Sequence, residues 1–165
     1  MIDLKNTDIA DDCMDAGGRV TQGAVTDLMP HSGKMVLLDR VIGYDDISVS
    51  AELVVRDDGL LGDGKTVPAW AGIEYMAQTI AVYVGIMAKI AGNPIKLGFL
   101  LGTRRYKSNV AEFKVGSTLT VRAEKIMQDE RLGVFDCRIQ GDGVEISANL
   151  NVYEPPIDYM NSEHE

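Results

Sequence analysis

Residues 68–78 read Pro-Ala-Trp-Ala-Gly-Ile-Glu-Tyr-Met-Ala-Gln and open the one long helical stretch of this sequence, about Ala69 to Ile90. Ile73, Met76, Ala77, Ile80, Val82, Val84, Ile86 and Met87 leave that stretch without a polar face, as in a helix buried on all sides. Gly92-Asn93-Pro94 supplies the stop. Glu74 stands inside the apolar run. A carboxylate is almost never fully buried unless it is paired or working, and burial raises a carboxyl group toward the range useful in general acid–base chemistry. Taken alone, Glu74 is a first-turn cap, the partner of an arginine, or a catalytic acid.

Outward from the helix the apolar period changes. Val144, Ile146, Ala148, Leu150 and Val152 alternate with Glu145, Ser147, Asn149 and Asn151, the pattern of a half-buried strand over Val144–Tyr153. Ile47–Val55 alternates too and forms a hairpin with Met35–Tyr44 about Asp45-Asp46. Leu97–Tyr106, Thr118–Met127 and Val134–Gln140 bring the strands to six, with tight turns at Asp129-Glu130 and Gly141-Asp142-Gly143. Asp57–Lys65, with Gly59, Gly62 and Gly64, reads as a loop. A lone helix that buries every face needs a sheet that curls around it. Glu74, Gln78, Ala81, Gly85 and Ala88 fall on one line of that helix, where small side chains let the sheet approach closely. The expectation is α+β: a hot-dog fold, one long central helix wrapped by a six-stranded antiparallel sheet. It occupies residues 23–154, between a flexible leader over 1–22 and a flexible tail over 155–165.

The 165 residues, 45% apolar, fit one domain. A net charge of −9 argues against nucleic acid as a partner. The longest uncharged stretch, Tyr75 to Ala88, is 14 residues, short for a membrane span. The start of the sequence has no signal-peptide pattern, and Cys13 and Cys137 give neither a disulfide framework nor a zinc site. A cytoplasmic protein without metal is expected. Arg104, Arg105 and Lys107 form a local cationic run inside the acidic whole, read either as a solvated strand end or as a contact for an acidic partner.

Two segments together resemble a known family. Leu28-Met-Pro-His-Ser-Gly-Lys-Met-Val-Leu-Leu-Asp-Arg-Val41 is similar to a stretch of the bacterial 3-hydroxyacyl-acyl-carrier-protein dehydratases, in which Leu-Pro-His leads to a Leu-Leu-Asp-Arg-Val strand. Pro68–Gln78 resembles the start of that family's central helix, Gly98–Lys107 the strand after it, and Gly116 its next turn. The resemblance covers about Asp27 to Tyr153. One feature departs from it. The family's catalytic histidine lies fourteen residues ahead of the helix carboxylate, and here that position is Leu60. No histidine occurs between His31 and His164, so either His31 supplies the imidazole or dehydration is lost. A divergent group associated with aryl-polyene biosynthesis clusters is more similar still. It has Pro-Ala-Trp before Gly-Ile-Glu-Tyr-Met-Ala-Gln and keeps the Pro-His segment.

The resemblance implies a cofactor-free hydro-lyase of fatty-acid or polyene-type biosynthesis, acting on 3-hydroxyacyl thioesters carried on the phosphopantetheine of acyl carrier protein. His31 would then be the base and Glu74 the acid, the two coming from different subunits. Amides at the helix start, Ala69 and Trp70, would face the enolate oxygen, as free N–H groups there favour an anion. Gln78 either orients Glu74 or is a buried amide satisfied by backbone. Arg104, Arg105 and Lys107 would meet pantetheine phosphate or the carrier protein. The assembly implied is a homodimer or higher homo-oligomer, or a heterodimer with another hot-dog protein. Two alternatives stay open: a weak or inactive hot-dog subunit that binds carrier protein or a dehydratase partner, and an acyl thioesterase.

Overall fold

The computed structural model describes residues 25–31, 33–56, 62–96 and 98–156. The expected leader, most of the expected tail, Cys13 and Leu60 lie outside these residues. The long helix α1 spans Gly72–Ile90 and follows a short 3-10 turn over Ala69–Ala71. Its end is the one the sequence signals: Gly92 adopts φ +71, and the amides of Gly92 and Asn93 close on the carbonyls of Lys89 and Ala88. A left-handed residue of this kind satisfies the last helical carbonyls, and glycine takes the conformation without a Cβ penalty.

Among the described residues eight strands accompany α1: β1 (Arg40–Tyr44), β2 (Ser48–Val54), β3 (Thr66–Pro68), β4 (Phe99–Ser108), β5 (Glu112–Lys114), β6 (Thr118–Asp129), β7 (Leu132–Gly141) and β8 (Val144–Tyr153). Six of them build an antiparallel sheet in the order β1-β2-β6-β7-β8-β4, and the expected hot-dog architecture is what forms. α1 packs across β2, β6 and β7. The inward positions alternate as a half-buried sheet requires: Val49, Ala51 and Leu53 on β2, Leu119, Val121 and Ala123 on β6, Ile146, Ala148 and Leu150 on β8 are all buried. By length and composition alone the helical stretch Ala69–Ile90 would cross a membrane; here most of it lies in the core.

Three expectations need correction. β3 and β5 pair in a separate two-stranded sheet that the sequence reading does not contain, since three residues are too few to show a period. Met35–Leu38 is not strand. The Gln78 side chain takes Met35 O and Leu37 N, and Arg56 donates to the carbonyls of Val36 and Leu37, so side chains satisfy the backbone groups that a ladder would have used. Lastly, the small-residue line of α1 meets the segment carrying His31 and not the sheet. A Cβ on Gly85 would collide with the backbone of Leu28.

Candidate active site

His31 lies between two short 3-10 turns, Thr26–Leu28 and Gly33–Met35, on a segment laid against α1. Two contacts fix it there. Leu28 is fully buried with its carbonyl over Gly85, and Met35 and Leu37 are held by Gln78. The imidazole then faces the first turn of the helix, with His31 Nε2 3.5 Å from Glu74 Oε1. The two side chains are 30% and 37% exposed, so Glu74 is half-buried and not fully buried as the apolar run implies. A single chain supplies both groups, where the sequence reading places them on different subunits. Nδ1 of His31 is buried and makes no hydrogen bond among the described residues.

Gln78 does both things the sequence leaves open. It is wholly buried, its Oε1 accepts from Leu37 N at 2.9 Å, and its Nε2 donates to Met35 O at 2.7 Å and to Glu74 Oε1 at 3.0 Å. The amide thereby orients the carboxylate and anchors the histidine segment at once.

Together His31 and Glu74 stand at one end of a groove of about 340 Å³. Its floor is the helix face Ala77, Ile80, Ala81 and Val84, and its far wall carries Lys96, Leu100 and Val152. A concave, mostly apolar cleft with a few converging polar groups is the usual form of a small-molecule site. Lys96 escaped the sequence reading. It lies in the loop after α1, and only the pairing of β4 with β8 brings it here.

Other expected site residues stand elsewhere. Neither Ala69 nor Trp70 walls the groove. The Ala69 amide donates to Ala111 O at 3.0 Å, which removes it as a free donor for an enolate oxygen, and the Trp70 side chain is 60% exposed. Tyr106 donates its hydroxyl to Ala69 O and fills the space above Gly72, locking the helix start against β4. Burial, then the neighbouring Tyr75, pushes the Tyr106 phenol up to about 12, so it keeps its proton at neutral pH.

Arg104, Arg105 and Lys107 lie on β4 and are exposed. The strand bulges between Arg104 and Lys107, with Arg105 at φ 54. Arg104 pairs with Asn149, and both arginines border a separate cavity with Asn149 and Asn151, on the sheet face opposite Val152 and the groove. The structure therefore brings His31, Glu74 and Gln78 together and keeps the cationic run apart from them.

Comparison with known proteins bears on this geometry. The family model described as "ApeP-like: ApeP dehydratase" matches residues 23–163. Among solved structures, a chain of the dehydratase heterocomplex ApeI:P from Xenorhabdus doucetiae is similar at 33% identity and a TM-score of 0.76, over 86% of this chain and 97% of that one. More distant are a hypothetical thioesterase solved with coenzyme A from Streptococcus pneumoniae TIGR4 (15% identity, TM-score 0.54, 70% and 84% covered). The PaaI protein of the E. coli phenylacetic acid degradation operon is likewise distant (13%, 0.53, 70% and 81%). These two show the fold alone. A search of curated proteins returns no match. With its hot-dog fold and a family match over nearly all of its folded part, this chain belongs to the ApeP-like dehydratase family.

Proposed function

We propose that the chain is a 3-hydroxyacyl-thioester dehydratase whose substrate is carried on acyl carrier protein, acting in aryl-polyene or related biosynthesis. The observation that carries this reading is the His31–Glu74 pair, 3.5 Å apart at the head of an apolar groove. Dehydration removes a proton from C2 and expels the C3 hydroxyl. In the neutral form His31 takes the C2 proton; the C2–C3 double bond forms as the C3–O bond breaks; protonated Glu74 gives its proton to the departing hydroxyl, which leaves as water. Proton return from imidazolium to carboxylate resets the pair, and their contact provides the path. Gln78 holds Glu74 in position for the donation. The acyl chain lies along Ala77, Ala81 and Val84. No cofactor is needed for this chemistry.

The cationic bulge of β4 is the proposed contact for the acidic carrier protein. Standing on the face opposite the groove, it fits a docking role better than a direct grip on the thioester.

A second reading is favoured by the 33% identity to one chain of a heterocomplex and by β4, an edge strand with Phe99, Leu100 and Leu101 exposed. In it, the chain works only when paired with another hot-dog dehydratase. Turnover of a 3-hydroxyacyl carrier protein, measured with the chain alone and with such a partner, tests both. Glu74→Gln and His31→Ala should each abolish dehydration by the competent form while leaving the fold intact. Full activity of a complex carrying either variant would leave this chain a supporting subunit. Release of free acid in the same assay would instead select the thioesterase reading.

A further inference from the structure

On the outer face of the sheet, β4, β8 and β7 form a cavity of about 380 Å³ lined by Arg104, Arg105, Leu132, Val134, Asn149 and Asn151. Successive strand residues normally point to opposite faces, which would part Arg104 from Arg105. The bulge brings them together. Arg105 takes φ 54, a conformation rare for any residue with a side chain, and both arginines border the one cavity. Backbone strain of this kind gathers at ligand sites. Tyr106, the next residue, is directed inward onto Ala69 O, so the bulge has a structural use as well. The rest of the lining is ordered along the strands. Arg104 lies beside Asn149 on β8, Asn151 beside Val134 on β7, and Leu132 one pair further along, opposite Tyr153. At about 3.3 Å per residue, the cavity runs from a cationic end to an apolar end over roughly 13 Å. Among the described residues neither guanidinium makes an ion pair, and the side chains of Asn149 and Asn151 make no hydrogen bond. No carboxylate lines the cavity. Asp136, the cross-strand neighbour of Asn149, pairs with Arg138 at 3.6 Å.

We propose that this cavity binds a nucleoside monophosphate, its phosphate between Arg104 and Arg105 and its base laid on Leu132 and Val134. The site stands apart from the groove and does not rest on the reading of His31 and Glu74. It lies within the cationic run proposed above for the carrier protein, but small-molecule binding here is measurable without that partner. Each guanidinium presents a planar fork of donors that fits phosphate oxygens in pairs. A phosphate monoester carries close to two negative charges at neutral pH, enough to meet two cations that have no acid to compete for them. A flat base loses water against the two aliphatic side chains. The carboxamide of Asn151 offers that base both a donor and an acceptor, the pairing asparagine makes with adenine N6 and N7. Asn149, beside Arg104, belongs to the phosphate end. A sugar phosphate would satisfy the arginines and leave the apolar end unfilled.

Calorimetry on the full chain at low salt tests this with adenosine 5′-monophosphate, adenosine, glucose 6-phosphate and inorganic phosphate. The nucleotide should bind about tenfold more tightly than any of the others. Arg104→Gln and Arg105→Gly should each weaken it by about tenfold or more, the loss of a charge-assisted contact. Lys89→Gln, which removes a cation from the last turn of α1, should leave affinity within about twofold, since exposed charges that far off are screened. Arg105→Gly is the sharper variant. Glycine accepts φ 54 freely, so the urea midpoint should hold or rise while affinity falls. Asn151→Leu should weaken the nucleotide and leave inorganic phosphate unchanged, which separates the base end from the phosphate end. Equal affinity for nucleotide and adenosine, or nucleotide binding that survives Arg105→Gly, overturns the proposal. So does a nucleotide bound no better than glucose 6-phosphate, which would leave an anion site without a place for a base. Absence of nucleotide binding at millimolar concentration overturns it outright, and dehydration assayed on the same preparation keeps that failure separate from the reading of the groove.

Discussion

Gln78 and Glu74, one helical turn apart, are joined by a 3.0 Å hydrogen bond, and the same carboxamide holds the backbone on either side of Val36. Orientation of the acid and placement of the histidine segment therefore depend on one buried side chain. Gln78→Leu keeps much of the volume but leaves Met35 O and Leu37 N unpaired. It should cost about 1–3 kcal/mol for each such group left unsatisfied, read as a lower urea midpoint. A misplaced acid should also lower kcat tenfold to a hundredfold with little change in KM. A stability loss at unchanged kcat would mean that Gln78 only anchors the backbone.

Gly85 is the second anchor. Gly85→Ala places a methyl against the Leu28 carbonyl, where neither backbone can yield cheaply. The expected cost is about 1–3 kcal/mol, with the His31 segment lifted from the helix and dehydration falling with it. Elsewhere in a helix the same change normally stabilises, by up to ~1 kcal/mol. A variant more stable than wild type would refute the close approach.

Alkaline pH should destabilise the fold. Burial raises the phenols of Tyr75 and Tyr106 to about 12 in the folded chain, from an ordinary value of 10.0. Between those values the unfolded chain has released protons that the folded chain still holds. Stability that is complete below pH 10 is thus lost as pH climbs toward 12, on the order of 1 kcal/mol per unit for each phenol. Denaturant midpoints across that window should fall, and Tyr106→Phe should make the slope shallower. A flat profile would contradict the burial of the two rings.

Charge reversal at the β4 bulge tests the docking role. Arg105→Glu should weaken carrier-protein binding several-fold at low ionic strength and much less at high salt, since exposed charges are screened over about 10 Å at 0.1 M. Binding that is indifferent to the reversal at low salt would remove the cationic run from the interface.

Local pattern carried much of the fold. The apolar run of α1, its Gly92 stop and the period of β8 are each written in consecutive residues, so the helix and the six-stranded sheet were legible before any coordinates. What was not legible depends on contacts distant in sequence. The pattern of Met35–Leu38 is that of a strand, and only the arrival of Gln78 and Arg56 diverts its backbone bonds. Ala69 has the position of a free helix-start amide, but β5 brings Ala111 O to meet it. In the site, Glu74 was conspicuous as a charge in an apolar run, whereas His31, 43 residues earlier, was singled out by the scarcity of histidines and by resemblance. Lys96 carries no signal of its own; a loop lysine reaches the groove only through the β4–β8 register.

The exposed edge of β4 also bears on how this protein must be handled. Among the described residues no strand covers its outer side, and Phe99, Leu100 and Leu101 along it are exposed. Such an edge joins whichever extended chain it meets first, including misfolded copies of itself. If another hot-dog chain pairs along this edge as proposed, making the two together should raise the yield of soluble protein, and an unchanged yield would count against that pairing.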